Sequence, residues 1–372
     1  MKIIGIGFIA FVLVVLQCLI YKKYWDKNLL VSVFFQQDGI SEGEEGEVIE
    51  IIENRKRLPI TMLKVKFQTS RYLGFFDAIG SKTTDQYYRN DIFQVGSGEK
   101  ITRKLRFIGT KRGYYHIKNI DLLASDLFFI NENMKSMTTE QYLYVYPKIF
   151  RSEDFRRSLQ KLNGEIIVKR HMLEDPFEYR GIREYQPFDD IRSVNWKATA
   201  RTGELKVNQK NYTAMQTIRI FLNLEDDGVW KKEKEVEASM QIAMGIAQFF
   251  LAQGMKVFCY ANGRDILTDE HMEICGISAV RQLYVIGKAM ARIDTSKKSK
   301  SFCELFEQRV LEDAEGFFTF FISPNGYEKY IELLRTCKKQ KIEYIWYYPV
   351  MYYENPDVPV ELEKQVQILP LQ

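Results

Sequence analysis

An unbroken run of uncharged side chains, Ile3 to Tyr21, constrains this chain more than any other feature. As an α-helix rising about 1.5 Å per residue, the run spans roughly 28 Å, which matches the hydrocarbon core of a bilayer. A cleaved signal peptide is the alternative interpretation, but no A-x-A site follows and the run is long for one. We therefore expect a retained transmembrane helix, with residues 1–27 as the membrane anchor.

The charges beside this run predict its orientation. Lys22, Lys23 and Lys27 follow it, whereas only Lys2 and the terminal amine precede it. Positively charged flanks of a span stay in the cytoplasm. We expect a single-pass protein of the cell membrane, with the bulk of the chain cytoplasmic.

Composition argues against several classes of function. The chain has 53 basic and 49 acidic side chains and a net charge of +4, without the basic stripe of a nucleic-acid-binding protein. Its five cysteines are scattered with no C-x-x-C pair, which favours free thiols over a disulfide framework. His116, His171 and His271 lie far apart in sequence and give no metal-ligand spacing.

The hydrophobic period divides the rest of the chain. In residues 28–150, short alternating segments separated by turn residues predict an antiparallel β-sandwich. In residues 213–350, near-continuous apolar runs alternate with helical periods, as in a doubly wound α/β sheet. Residues 151–212 lie between the two, and the proline-dotted residues 351–372 are expected to form a loose tail. The sequence thus predicts a multidomain α+β protein behind a membrane helix.

Local signals predict two further boundaries, one before the α/β domain and one within it. Ser152 is placed to cap a helix that should end near Asn163, because Gly164 follows as a stop. Asn262-Gly263, after an apolar strand, is a strong hairpin signal.

Ahead of the α/β domain lies a segment, Asp175 to Lys210, in which charges of both signs alternate with large aromatic side chains. We call it the charged segment. Its composition is typical of a polar network held against an apolar surface, not of a linker. Gly203 is placed to take a positive φ in a tight turn, and the alternation after it predicts a strand from Leu205.

The charged segment resembles the signature of the family catalogued as domain of unknown function 58. The matching residues are Gly181, Arg183-Glu184-Tyr185, Pro187, Asp189-Asp190, Arg192, Asn195-Trp196-Lys197, Ala200-Arg201 and Gly203-Glu204-Leu205. One departure is Phe188, where many members have glycine.

The resemblance implies an architecture and a partner. Relatives have a small immunoglobulin-like domain followed by an α/β domain that is similar to a von Willebrand factor A domain. Relatives are often linked to MoxR-type AAA+ ATPases, with which they are thought to assemble or mature other proteins. Our leading hypothesis is therefore a membrane-anchored protein-interaction module that is not an enzyme.

A metal site is the first candidate for chemistry. Doubly wound sheets bind ligands at the carboxyl ends of their strands, and von Willebrand A domains hold Mg²⁺ there with a D-x-S-x-S motif. Here Asn223 replaces the aspartate, while Glu225 and Asp227 replace the serines. We expect a solvated acidic loop with no metal; a divalent ion held by Glu225 and Asp227 is the alternative.

The charged segment itself is the second candidate. It either joins the two domains through ion pairs and buried aromatics, with Trp196 buried and Arg201 paired to Asp189 or Asp190, or it faces outward as a docking surface for carboxylates. The residues assigned to this site are Arg183, Glu184, Tyr185, Asp189, Asp190, Arg192, Asn195, Trp196, Lys197, Arg201 and Gly203.

Two further functions stay open at this point. The first is a metal-dependent hydrolase that uses Glu184, Asp189 or Asp190 as acid and base. The second is a scaffold of cell-envelope synthesis without an ATPase partner.

Overall fold

The computed structural model describes most of the chain and divides it into two compact units. It describes residues 2–77, 80–172, 174–187, 189, 191–212, 217–226, 228, 232–277, 281–310, 316–352, 356 and 358–371. The first unit holds residues 1–148 with residues 287–292, and the second holds the remainder.

A long apolar helix opens the first unit, and two β-sheets follow it. The helix is α1 (Lys2–Tyr24). The strands are β1 (Leu29–Phe35), β2 (Gly39–Ser41), β3 (Glu45–Asn54), β4 (Ile60–Ser70), β5 (Leu73–Phe75), β6 (Ser81–Thr83), β7 (Gln86–Val95), β8 (Lys100–Gly109), β9 (Gly113–Ser125) and β10 (Glu132–Tyr146).

The two sheets of this unit pack on one another. Their strand orders are β1-β3-β8-β5 and β2-β10-β9-β4-β7-β6, and their pairings are antiparallel except for β10 with β2. Phe75 of one sheet stacks on Tyr87 of the other, with ring centroids 4.3 Å apart. Buried side chains alternate along strands such as β3 and β7, as expected when one face of each strand meets a core. The predicted antiparallel sheets are therefore present in this region.

A cluster of ionisable side chains is buried in the same unit. The Arg89 side chain is fully buried and donates to Asp91 at 2.7 Å, and Arg103 donates to the other oxygen of Asp91 at 2.8 Å. Glu50, also fully buried, lies opposite Arg103 in the β3–β8 ladder. Burial and the Asp91 charge raise the pKa of Glu50 to about 8, although Arg103 and Arg89 act in the opposite direction. Glu50 is therefore protonated in the folded state at neutral pH.

The second unit contains six helices and nine strands within the described residues. The helices are α2 (Glu153–Met172), α3 (Trp196–Thr202), α4 (Glu233–Ala252), α5 (Arg281–Ala291), α6 (Phe302–Val310) and α7 (Glu328–Lys339), with α5 ending in residues assigned to the first unit. The strands are β11 (Glu174–Glu184), β12 (Lys206–Tyr212), β13 (Thr217–Leu222), β14 (Val257–Asp265), β15 (His271–Ile277), β16 (Ile293–Asp294), β17 (Phe317–Ile322), β18 (Tyr344–Met351) and β19 (Val366–Leu371). Two short 3₁₀ helices span Ile191–Ser193 and Val360–Gln365.

A seven-stranded sheet with helices on both faces organises this unit. The strand order is β15-β14-β13-β17-β18-β19, with β16 beside β14; β15 and β16 are antiparallel and the others parallel. On one face, Phe250 of α4 meets Phe320 at a ring distance of 5.4 Å. On the other, Phe306 of α6 meets Phe221 at 4.8 Å. Because neighbouring strand residues point to opposite faces, the apolar strands are covered on both sides.

Three local expectations prove wrong, each for a packing reason. Helix α2 continues past Gly164, because Ile166 extends the buried stripe of Phe155, Leu159 and Leu162. The tail is not loose beyond residue 358: β19 pairs in parallel with β18, and Leu362 is fully buried.

The third concerns the turn predicted at Asn262-Gly263: the hairpin itself is present, since β14 pairs antiparallel with β15, but its turn lies elsewhere. Strand β14 runs through it to Asp265, and the turn comes later, where the Asp265 carboxylate accepts from the Leu267 amide at 2.7 Å. The Asn262 side chain is buried and bonds other loops instead of shaping a turn.

Replacement of Glu50 tests the buried ionisable cluster. Between its ordinary pKa of 4.5 and about 8, the folded state holds a proton on Glu50 that the unfolded state releases. The free energy of unfolding should therefore fall as pH rises through this window, by up to about 1.4 kcal/mol per pH unit. Glu50→Gln should abolish this component, measured by chemical denaturation of the full chain in detergent.

The control is Glu45→Gln, an exposed carboxyl on the same strand, which should keep the wild-type slope. An equal pH slope for Glu50→Gln and wild type would contradict the assignment of a proton to Glu50.

Candidate functional site

The carboxyl end of β13 is the first place where the sequence predicts chemistry. Asn223, just beyond the strand, is fully buried. Its Nδ2 donates to the Ser323 hydroxyl at 3.0 Å, and its Oδ1 accepts from the Glu225 amide at 3.0 Å and from Asn262 Nδ2 at 3.2 Å. The Asn223 side chain is thus fully used in tying neighbouring loops together.

Glu225 is buried beside Asn223 and is bound by three protein donors. Its Oε1 accepts from the Phe302 amide at 2.5 Å, at the start of α6. Its Oε2 accepts from Lys329 Nζ at 2.6 Å and from the Tyr330 hydroxyl, both in the first turn of α7. Burial alone raises the pKa of Glu225, but these hydrogen bonds outweigh it, so the pKa lies below its ordinary value. The carboxylate therefore stays ionised and anchors two helices.

Amide side chains complete this network at the carboxyl ends of the parallel strands, which we call the sheet edge. Asn262 Oδ1 accepts from the Leu224 amide at 2.8 Å, and Asn262 Nδ2 donates to the Lys300 carbonyl at 3.0 Å. Asn325 Nδ2 donates to the Glu225 carbonyl at 2.5 Å. Lys329 and Tyr330 escaped the sequence analysis and Asn262 was assigned there to a hairpin turn, because only the fold brings these three residues to Asn223 and Glu225.

The structure brings together two of the three residues predicted for a degenerate metal site. Asn223 and Glu225 are adjacent, and Asp227 lies outside the described residues. Among the residues that the structure describes, no group of three or more His, Cys, Asp or Glu is placed to hold a metal ion. A metal would have to displace Lys329 or Tyr330 from Glu225.

A polar cleft of about 780 Å³ opens beside this network. It has charges of both signs, and its lining includes Asp226, Glu233, Lys297, Lys298, Ser299 and Lys329. Such a lining offers hydrogen bonds and charges, but Lys329 is already committed to Glu225 and Lys297 to Asp269 at 3.3 Å.

The charged segment is the second candidate, and an arginine–carboxylate pair closes its central loop. Arg183 of β11 holds both oxygens of Asp189 at 2.6 Å, and the Gln186 amide donates to Asp189 at 2.8 Å. The hydrogen bonds from Arg183 hold the pKa of Asp189 below its ordinary range. The expected partner of Asp189 was Arg201, so this pairing is a correction. Asp190 lies outside the described residues.

Helix α3 is fixed at both ends by residues of the family pattern. Asn195 caps it, accepting from the Ala198 amide at 3.0 Å, and also donates to Asn208 of β12 at 2.6 Å. Gly203 ends it with φ of 76°, in the left-handed region, which confirms the predicted turn. The strand predicted from Leu205 is present as β12. These residues hold the shape of the segment.

The aromatic and the cations on α3 face outward. Trp196 is 66% exposed, so the expectation that it is buried is wrong. Lys197 and Arg201 are exposed too, four residues apart and hence on one side of the helix. Within the described part of the chain neither forms an ion pair. Val194 and Val207, which pair in an isolated bridge, are buried in the segment instead.

The other assigned residues have structural or peripheral positions. Glu184 pairs with Lys206 at 3.3 Å, and Lys206 also pairs with Glu204 at 3.1 Å. Tyr185 is half-buried and its amide donates to the Leu205 carbonyl, and Arg192 is exposed on the 3₁₀ helix. A hydrolase would need Glu184 or Asp189 to leave its cation before acting as a base.

Comparison with known proteins agrees with the pattern in the charged segment. The family described as Protein of unknown function DUF58 matches residues 181–266. The match begins in the charged segment and ends in β14, so the resemblance predicted from sequence is confirmed over that part of the chain. No curated protein matches.

Solved structures share only a distant likeness. The macrocyclization catalyst AvmM of alchivemycin A biosynthesis has a TM-score of 0.23 and 11% identity, over 33% of this chain and 93% of its own. The CARDB domain of the PF1109 protein from Pyrococcus furiosus has a TM-score of 0.21 and 15% identity, over 32% of this chain and 96% of its own. A non-cellulosomal cohesin from Archaeoglobus fulgidus has a TM-score of 0.23 and 12% identity, over 34% of this chain and 96% of its own. At such TM-scores these likenesses define neither fold nor function.

Thermal unfolding with and without metal tests the network around Glu225. Glu225→Gln should lower the free energy of unfolding by roughly 2 kcal/mol, because the buried Tyr330 hydroxyl and Phe302 amide lose their charged acceptor. Millimolar Mg²⁺ or Mn²⁺ should leave the melting temperature of both proteins unchanged.

Glu233→Gln, an exposed carboxyl of the same cleft, is the matched control and should melt like wild type. A metal-dependent rise in the wild-type melting temperature that Glu225→Gln or Asp227→Ala abolishes would instead establish a metal site.

Proposed function

We propose that this protein is a membrane-anchored interaction module, not an enzyme, that works with a MoxR-type AAA+ ATPase in assembling or maturing other proteins. It holds no metal or other cofactor in this role. The anchor is α1, the bulk of the chain is cytoplasmic, and the docking surface is the outward side of the charged segment.

The length and apolar surface of α1 support the anchor. Residues Ile4–Tyr24 have a mean hydropathy of 2.6, and only 6% of that span is buried. A helix that is apolar on all sides and exposed in its own fold is best placed in lipid. The lysines at its carboxyl end support the cytoplasmic orientation.

The strand order of the α/β unit supports a von Willebrand factor A-like, doubly wound assignment. In this order the parallel strand β13 lies at the centre and the antiparallel β15 at the edge. Such folds mostly bind partners at their surfaces. This step is an analogy of fold, and the function depends on the site.

The observation that carries the proposal is the exposure of Trp196 beside two cations without ion-pair partners in the described residues. Tryptophan and arginine are enriched among the residues that contribute most to protein–protein binding. Ile191 is as exposed as Trp196, and Leu205 is also exposed. A surface with exposed apolar side chains and the guanidinium of Arg201 fits a partner with an apolar pocket next to carboxylates.

The state of the sheet edge supports the same conclusion. Asn223 and Glu225, where related folds hold their ligand, are engaged by loops of the same unit. The charged segment instead has a fixed frame, made by Arg183, Asp189 and Asn195, and an exposed outer side with Trp196, Lys197 and Arg201. A rigid frame keeps the entropy cost of docking low.

Binding of the full chain, in nanodiscs, to a co-expressed MoxR-type ATPase tests this function. Trp196→Ala and Lys197→Glu/Arg201→Glu should each weaken the complex at least about tenfold, or roughly 1.4 kcal/mol. Both should melt within a few degrees of wild type, because exposed substitutions change stability by about 0.5 kcal/mol or less.

Tyr352→Ala removes an aromatic side chain that is 84% exposed but lies outside the charged segment, and should bind like wild type. Large drops in melting temperature for the α3 variants would favour a structural role. A wild-type chain that binds no MoxR-type ATPase would favour the cell-envelope scaffold.

A further inference from the structure

Four consecutive large apolar residues form the turn between β9 and β10. They are Leu127, Phe128, Phe129 and Ile130. Turns are normally polar, because their backbone and side chains meet water. Here the two phenylalanines are 59% and 60% exposed, and Leu127 and Ile130 are exposed as well. A contiguous apolar surface of this kind marks a binding site.

The turn is built to hold these side chains outward. The carboxylate of Asp126, itself fully buried, accepts from the backbone amides of Phe128 at 3.1 Å, Ile130 at 2.9 Å and Asn131 at 3.1 Å. Phe129 has φ of 58°, in the left-handed region that bulky residues seldom adopt. Such strain persists only where surrounding bonds enforce it, and it is concentrated at functional sites.

The position of Asp126 fixes the depth of the turn relative to α1. Cys18 Sγ donates to Asp126 Oδ2 at 3.3 Å, and the Tyr21 hydroxyl donates to the Pro59 carbonyl at 2.7 Å. Cys18 precedes Lys22, the first charge after the apolar run, by four residues, which is about 6 Å along a helix. The apolar turn therefore lies level with the last apolar turn of α1, not beyond its charged end.

Basic side chains lie at this end of the unit, together with acidic ones. Lys22, Lys23 and Lys27 follow the apolar run of α1, and Arg57 is exposed in the β3–β4 turn that leads to Pro59. Arg55 of the same turn is paired with Glu53 at 2.6 Å, and Asp26 with Lys135 at 3.0 Å. Interfacial membrane-binding elements combine an apolar tip, buried about 5–10 Å below the headgroups, with a basic rim that contacts anionic lipid.

We propose that the turn Leu127–Ile130 is a second membrane-contact element, which inserts at the boundary of headgroups and acyl chains beside α1. This inference rests on the proposed membrane anchorage of α1. The occupant of the apolar surface is the lipid bilayer, since the contact of Asp126 with Cys18 places the turn at bilayer depth. Two points of attachment would fix the tilt of the first unit against the membrane, which a single helix leaves free.

Site-specific photocrosslinking to lipid tests the proposal in the full chain. The photoreactive residue p-benzoylphenylalanine replaces one phenylalanine at a time, in nanodiscs that contain anionic lipid, and lipid adducts are detected by mass spectrometry. The three positions are Phe11 in α1, Phe128 in the turn, and Phe76. Phe76 is 56% exposed and serves as the control. It follows β5, which pairs with the carboxyl end of β8 at residues 107–109. The strand ends near α1 lie at the other end of β8, beside Lys100.

We expect lipid adducts at positions 11 and 128 and none at position 76. Adducts at position 11 without adducts at 128 would overturn the turn as a membrane contact and leave the anchorage intact. Absence of adducts at position 11 would overturn the anchorage itself. Because Phe128 is exposed, each variant should melt like wild type, and this check separates a lost contact from a misfolded chain.

Discussion

The carboxylate of Glu225 is the interaction on which the α/β unit depends. It joins the end of β13 to the first residue of α6 and to the first turn of α7 through three donors. Removing an ionised group from water costs free energy unless its hydrogen bonds are replaced, and here the protein supplies three of them. The same carboxylate is thus engaged by protein donors at the edge of the sheet where comparable folds bind a ligand.

The charged segment differs from the sheet edge in the exposure of its side chains. Unlike the edge, α3 has an exposed indole and two exposed cations over a frame fixed by Arg183–Asp189 and by Asn195. A fixed frame with exposed aromatic and cationic side chains keeps the entropy cost of docking low, as the proposed role requires. Catalysis would need a released carboxylate, whereas docking needs no rearrangement of Glu184 or Asp189.

The sequence predicted features with a local physical signal. The apolar run of α1, the positive φ of Gly203 and the period change from sheet to α/β unit depend on near neighbours in the chain. It failed where distant packing decided: Ile166 carried α2 past Gly164, and Asn262 bonded to distant loops rather than turning the chain. Trp196 was expected to be buried if the charged segment joins the two domains; no local pattern reveals that Val194 and Val207 are buried there while the indole is exposed.

Hydrogen–deuterium exchange of the full chain, with and without the MoxR-type ATPase, distinguishes docking at the charged segment from docking at the sheet edge. If the charged segment binds the partner and the sheet edge serves only the fold, residues 191–205 gain protection, and exchange in residues 223–226 and 295–301 is unchanged. Protection at the sheet edge with none in the charged segment would contradict docking at the charged segment.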